Sequence, residues 1–318
     1  MIHYRKFRNS DPPRLVDVWR RSPPSRRLAQ LLTPNLFEEL VLAKPYFDPE
    51  GLIVAEEEET GRVLGFVHAG FGPNAERTGL DHTQGAICML IVRPEEDKAQ
   101  TAAELLARGE EYLRSSGAKD IYAGGVGAIC PFYVGLYGGS ELPGVPDSQP
   151  ASQEFFRKHG YDEADRVLVY QCEPAAFRPV VDRSQMQIRR STTVEVVEDA
   201  TSKNWWEACT LGCFQQIGVE LKPRDGGGPI ASAKFWCMDP FSQSWGVHAL
   251  GLVDVEVAED QRQSGMATYL LGESIRQLNE RGFTLIEGHA VQSNAGAIAL
   301  IEKLGFVQSD AGSVLRKS

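Results

Sequence analysis

The stretch VAEDQRQSGMATYLL, residues 257–271, holds Arg262, Gly265 and Ala267 in an R-x-x-G-x-A spacing, between a β-type apolar run and a helical one. The chemistry this spacing offers is anion binding. The first N–H groups of a helix have no intrahelical acceptor, and the helix dipole adds about half a positive charge beside them. A phosphate placed there meets both. Glycine at 265 lets the backbone approach a bulky diphosphate, Ala267 keeps the first helical turn low, and Arg262 adds a charge-assisted bond. Met266 opens the helix, and Gln263 and Ser264 complete the loop. Titratable side chains lie nearby: Asp254 and Glu256 alternate with Val255 and Val257, and His289 lies near the end of the run LIEGHAV.

The elements that must position these groups are written twice. Val92 aligned with Val257, an offset of 165, carries Leu105 and Leu106 onto Leu270 and Leu271, Gly117 onto Gly282 and Ile121 onto Ile286. Each copy reads strand, loop, helix, glycine stop, strand, with helices expected near 101–115 and 266–280. Each closes with a short helix, a Gly-aromatic pair and a last strand. The first copy is longer by 20 residues, which fall in the Gly- and Pro-rich stretch GGVGAICPFYVGLYGGSELPGVPDSQPAS, a loop insertion. QIRRSTTVE, residues 187–195, is expected to restart the module as a strand, after a linker running from Pro174 through Pro179 to Ser184. The expected domains are residues 1–175 and 185–318.

Bulk properties narrow the function. A chain of 318 residues has room for two cores. A net charge of −10, mildly acidic in both halves, argues against nucleic acid as a partner and suits a cationic amine. No apolar run approaches a membrane span and the N-terminus has no secretory pattern, so a cytoplasmic protein is expected. The six cysteines show no C-x-x-C pair; Cys209 and Cys213 are expected on one helix face as small core residues, and no metal site or disulfide framework is supported.

The run V-x-x-x-x-R-x-x-G-x-A-x-x-L-L, followed by NAGAIALIEKLGF from Asn294 to Phe306, resembles the GNAT superfamily of acyl-CoA-dependent N-acetyltransferases. The likeness covers both copies and is strong in the second. It implies an α/β (α+β) fold of two tandem GNAT-like domains, each a mixed, mainly antiparallel sheet flanked by helices, with two central strands splayed. It implies acetyl-CoA as cosubstrate: residues 262–267 around the pyrophosphate, the pantetheine arm paired with backbone at Val255 and Val257, and Asn294 beside that arm. Asn294 reads equally as the N-cap of the following helix. In the first copy the loop positions are Asp97, Gln100 and Ala102. A carboxylate repels phosphate and a glutamine obstructs the backbone, so that copy is expected to keep the fold without the cofactor site.

The catalytic groups are less defined. The glutamate and tyrosine that the resemblance implies as base and acid fall on Gly251 and Ile301, with Ala86 at the base position of the first copy. The substitutes are His289, first, then Glu256 and Asp254, which alternation places on the opposite strand face unless a β-bulge re-aims them; His248 is weaker. The aromatics Trp205, Trp206, Phe214, Phe235, Trp236 and Trp245 read as packing or as an acceptor pocket. Two functions follow: an N-acetyltransferase acting on a small-molecule amine, or a non-catalytic acyl-CoA-binding or interaction protein.

Overall fold

The computed structural model describes residues 1–95, 98–127, 129, 130 and 132–318, with Lys98 described in its backbone alone. Asp97 therefore lies outside the described residues. The first half runs β1 (Ile2–Lys6), α1 (Pro12–Arg20), α2 (Pro34–Phe37), β2 (Leu52–Glu57), β3 (Val63–Pro73), β4 (Leu80–Val92), α3 (Lys98–Ser115), β5 (Asp120–Ala123), β6 (Val145–Pro146), α4 (Pro150–Lys158) and β7 (Asp162–Cys172). The second half runs α5 (Arg183–Ser191), β8 (Thr192–Glu198), α6 (Trp205–Leu211), β9 (Gln216–Pro223), β10 (Ala231–Cys237), α7 (Asp239–Trp245), β11 (Ala249–Val257), α8 (Met266–Glu280), β12 (Leu285–Val291), α9 (Ala295–Lys303) and β13 (Val307–Lys317). QIRRS thus belongs to α5, and the strand starts only at Thr192. Asp182 caps α5 through Gln185 N–H, and Ile188 is buried, which holds that segment helical.

The two copies superpose in their hydrogen bonding. Residues 84–87 pair in parallel with 120–123, and 249–252 pair in parallel with 285–288, each 165 positions on. Each central strand carries one extra residue against its antiparallel neighbour, Cys88 in β4 and Val253 in β11. These are β-bulges at the same repeat position. Beyond its short parallel ladder each strand pair diverges.

The strands make one mixed sheet in the order β1-β2-β3-β4-β5-β13-β7-β12-β11-β10-β9-β8, with β6 pairing β13. The closing strands are exchanged. β13, the last strand of the second half, pairs with β5 of the first, and β7 pairs with β12 of the second. β7 and β13 pair with each other along the seam. One face of the sheet carries a continuous apolar cluster that runs from Leu15 and Trp19 to Trp236 and Phe241, across both halves. On the other face α3 and α8 cover separate clusters. Helix α8 buries Leu270, Leu271, Ser274, Ile275 and Leu278, a 3.6-residue stripe, and ends at Gly282 with φ +90°.

The clustered aromatics join the halves. Trp206 stacks on Tyr46 with centroids 5.1 Å apart, and Trp205 meets the same ring edge-on. Trp245 donates to the Arg26 carbonyl at 3.1 Å. Trp205, Trp206 and Trp245 thus pack between the halves rather than line an acceptor pocket, while Phe235 is buried under α8. Cys213 lies past the end of α6 and is exposed, while Cys209 is half-buried, so they do not share a buried helix face. Among the described residues no helix is long and apolar enough to cross a membrane.

Candidate active site

The divergence of β11 from β12 opens a cleft of about 1320 Å³. Past the bulge at Val253, residues 254–257 of β11 pair with β10 on one side and have no strand partner on the other among the described residues. This free edge, which includes Val255 and Val257, is a template for an added extended segment. The cleft ends at the loop before α8, where Arg262, Gln263, Gly265, Met266 and Ala267 line it. The first helical bond of α8 runs from Tyr269 N–H to the Gly265 carbonyl at 3.0 Å. The N–H groups of residues 263–268 have no acceptor among the described residues. Gln263 at φ +60° and Gly265 at φ +91° curl this run into a concave nest.

Two of the expected loop roles differ in their physics. A Cβ built on Gly265 would lie 2.9 Å from Gln185 Nε2, so the glycine is required by its left-handed backbone and by the close packing of α5. Ser184 and Gln185 donate to the carbonyls of Ser264 and Gly265, each at 3.2 Å, which fixes the loop from behind. Arg262 is turned back, its Nε 3.3 Å from the Val257 carbonyl, with its side chain exposed. The Ser264 hydroxyl donates to the Gln261 carbonyl. Asn294 lines the cleft, and its Oδ1 accepts from Ala297 N–H at 3.0 Å, so it caps α9.

At the other end of the cleft stand the titratable groups. Asp254 and Glu256, just past the bulge at Val253 and on the strand face opposite Val255 and Val257, line the cleft, where Lys203 bridges both, 2.7 Å from Glu256. His289 sits one residue beyond the β11–β12 ladder with its side chain 2 % exposed. Neither ring nitrogen has a hydrogen-bond partner of good geometry among the described residues; Nε2 makes an ion-pair contact with Glu287 Oε1 at 3.4 Å. Ile301 is buried in the same wall. At Gly251 there is no room for a side chain: a Cβ would run into the Trp236 indole and lie 2.9 Å from Ser140 Cβ. His248, just before β11, does not line the cleft.

One residue of this wall comes from the first half. Glu141, in the insertion between β5 and β6, lines the cleft with His289 and accepts no hydrogen bond from the described residues. Desolvation by the surrounding protein pushes its carboxyl up to about 7; the His289 ring opposes that shift and the Asp254 carboxylate adds to it. The insertion is anchored beneath it. Ser140 N–H donates to Glu287 Oε1 at 2.8 Å, and the Ser140 carbonyl accepts from the Trp236 indole at 3.0 Å. Gly138 and Gly139, at φ +88° and +120°, make the tight turn, and a Cβ at 139 would strike the Glu287 carboxylate. Glu287 is fully buried, with Arg27 at 2.8 Å and Gln171 at 2.6 Å. Burial alone would raise its carboxyl, but His289 and the Arg27 charge more than reverse this and hold it at about 2. Arg27 also meets Asp310 at 3.1 Å, so the cluster ties α1–α2, the insertion, β12, β7 and β13 together.

The insertion also covers the matching region of the first half. Its Phe132 ring lies 4.3 Å from that of His68 and against Gly70, while Ile129 packs on Gly72 of β3. Cys130 and Phe132 join the cluster that contains Cys88, the bulge residue of β4. Gln100, opposite Gly265 in the repeat, lies in the first turn of α3.

The sequence matches the Acetyltransferase (GNAT) family over residues 13–133 and again over 186–306. No curated protein sequence matches it. Among solved structures, a GCN5-related glucosamine N-acetyltransferase region of a fungal multi-domain GH3 β-N-acetylglucosaminidase aligns with 100% of this chain at 17% identity and a TM-score of 0.73. The chain spans only 38% of that protein's length. A tandem GNAT protein from the clavulanic acid biosynthesis pathway aligns over 100% of this chain and 98% of its own, at 14% identity and a TM-score of 0.65. A GCN5-related N-acetyltransferase from Sphaerobacter thermophilus aligns over 99% and 95%, at 14% identity and a TM-score of 0.57. At these identities the likeness is one of fold, and the twofold sequence match supplies the family: the chain belongs to the GNAT acetyltransferases, as a tandem member.

Proposed function

We propose that the chain is an acetyl-CoA-dependent N-acetyltransferase that binds its cosubstrate in the second half and acetylates a primary amine. The observation that carries this reading is the run of unpartnered N–H groups from 263 to 268, facing a cleft whose strand edge is free. That nest fits the pyrophosphate of coenzyme A, and the edge at residues 254–257 fits the amides of its pantetheine arm. Acetyl-CoA supplies the activated thioester carbonyl. Backbone N–H near Val255 faces the oxygen that gains charge, and His289, Asp254 and Glu256 are the second-half groups within reach of the amine. The first half, with Asp97 and Gln100 in its loop and the insertion packed on β3 and β4, serves as scaffold rather than as a second cofactor site.

A non-catalytic acyl-CoA-binding role is the second reading, favoured by Gly251, where Trp236 excludes any side chain, and by the buried Ile301. Thiol release from acetyl-CoA, assayed with a panel of small primary amines, separates the two. Release above the hydrolysis background with one or more amines supports the transferase. Binding with no release across the panel supports the second reading.

A further inference from the structure

We infer that the first half supplies the general base of the second-half site: Glu141, carried across the seam by the insertion, takes the proton from the acceptor amine, and Glu287 is the positioning residue that holds it there. This rests on the transferase reading above. The position where the resemblance implies a glutamate is closed by Trp236 and Ser140. The residue next to that Ser140 is Glu141, the single charged residue between Asp120 and Asp147. It lines the cleft with His289, whose side chain is 2 % exposed; Nε2 lies 3.4 Å from Glu287 Oε1 and Nδ1 has no hydrogen-bond partner among the described residues. A buried ring nitrogen without a partner leaves a polar position open in this wall, which a ligand or water can fill. Of the carboxylates here, Asp254 and Glu256 are both ion-paired with Lys203. Glu141 has no such partner.

The groups facing Glu141 are His289 on β12 and Asp254 on β11, with Lys203 behind Asp254 and the Glu287–Arg27 pair beneath Ser140. Its raised carboxyl suits proton transfer near neutral pH. An acceptor R–NH3+ gives one proton to the Glu141 carboxylate. The freed nitrogen lone pair forms the C–N bond to the thioester carbonyl carbon, the C–S bond breaks, and the second nitrogen proton ends on the coenzyme A sulfur. Glu141 then returns its proton to water. One insertion therefore fills the first cleft and completes the second, so neither half is an enzyme alone.

The test uses the full chain and Glu141→Gln, with calorimetric titration of acetyl-CoA, the pH profile of kcat/KM for the best amine of the panel, and unfolding of the free protein against pH. Acetyl-CoA affinity is expected within threefold of wild type, kcat/KM at pH 7 lower by about 100-fold or more, and the ascending limb near pH 7 lost. Free Glu141→Gln is expected to gain Tm relative to wild type as pH rises from about 4.5 to 7, because over that range the unfolded wild-type carboxyl ionises while the folded one, raised to about 7, keeps its proton. Glu287→Gln is expected to lower kcat with little change in acetyl-CoA affinity, and to shift the ascending limb rather than remove it. Unimpaired turnover by Glu141→Gln, or an unchanged limb, overturns the inference while leaving the transferase reading intact. Failure of wild type to bind acetyl-CoA, or to release thiol with any amine, overturns that reading and the inference with it.

Discussion

Ala267→Glu separates binding of the diphosphate from stability of the fold. Ala267 is the second residue of α8, lines the cleft, and stands in a first turn that has no acidic residue. A glutamate there gains about 0.3–1 kcal/mol from the helix dipole and gives back a few tenths in propensity. Free-protein stability therefore stays within about half a kcal/mol of wild type. The ligand sees the opposite sign. One carboxylate charge about 5 Å from one phosphate charge, at an effective dielectric of about 20, costs about 3.3 kcal/mol, which weakens binding about 250-fold. At a concentration 100 times the wild-type Kd, bound acetyl-CoA adds about 2.7 kcal/mol to wild type and about 0.2 kcal/mol to the variant. The assay is denaturant unfolding with and without acetyl-CoA. Gly282→Ala is the mirror control: at φ +90°, with nothing near its Cβ, it costs about 1–2 kcal/mol through backbone strain and keeps the full ligand gain. If Ala267→Glu kept a gain near that of wild type, the anion site would not be at this loop.

The buried carboxylate at 287 should dominate the acid limb of stability. Its folded value of about 2 lies below the ordinary 4.5, so its contribution of about 3 kcal/mol is present above pH 4.5 and is lost as pH falls toward 2. Glu287→Gln should lower stability at pH 7 by on the order of 3 kcal/mol and flatten that limb in unfolding measured from pH 7 to 2; an equally steep limb in the variant would remove Glu287 as its cause. Gly251→Ala should cost about 1–3 kcal/mol by overpacking Trp236. Gly251→Glu should not raise thiol release, and an increase would mean that the strand position still accepts a base.

The repeat and the loop were legible because both are local. An offset of 165 preserved the parallel ladders and the two bulges, and R-x-x-G-x-A marked the junction where the N–H run is found. The exchange of β7 and β13 was not legible, since strand alternation encodes which face is buried and not which neighbour supplies the ladder. The helix over QIRRS was hidden by its arginines, and its cue was Asp182 three residues before Gln185. Glu141 escaped because it lies 148 positions before His289 in a stretch without periodicity. The signal available was a lone charge in an uncharged Gly- and Pro-rich insertion. The constraint on Gly265 at the start of α8 was only partly legible, because it comes also from α5, an element read as strand and linker.

The central claim is that one half binds the cosubstrate and the other does not. Calorimetric titration of the purified chain with acetyl-CoA tests it directly through stoichiometry. One site per chain, abolished by Ala267→Glu, is the result this account predicts. Two sites per chain would show that the first cleft still holds cosubstrate, and no binding would place the function of this fold outside acyl transfer.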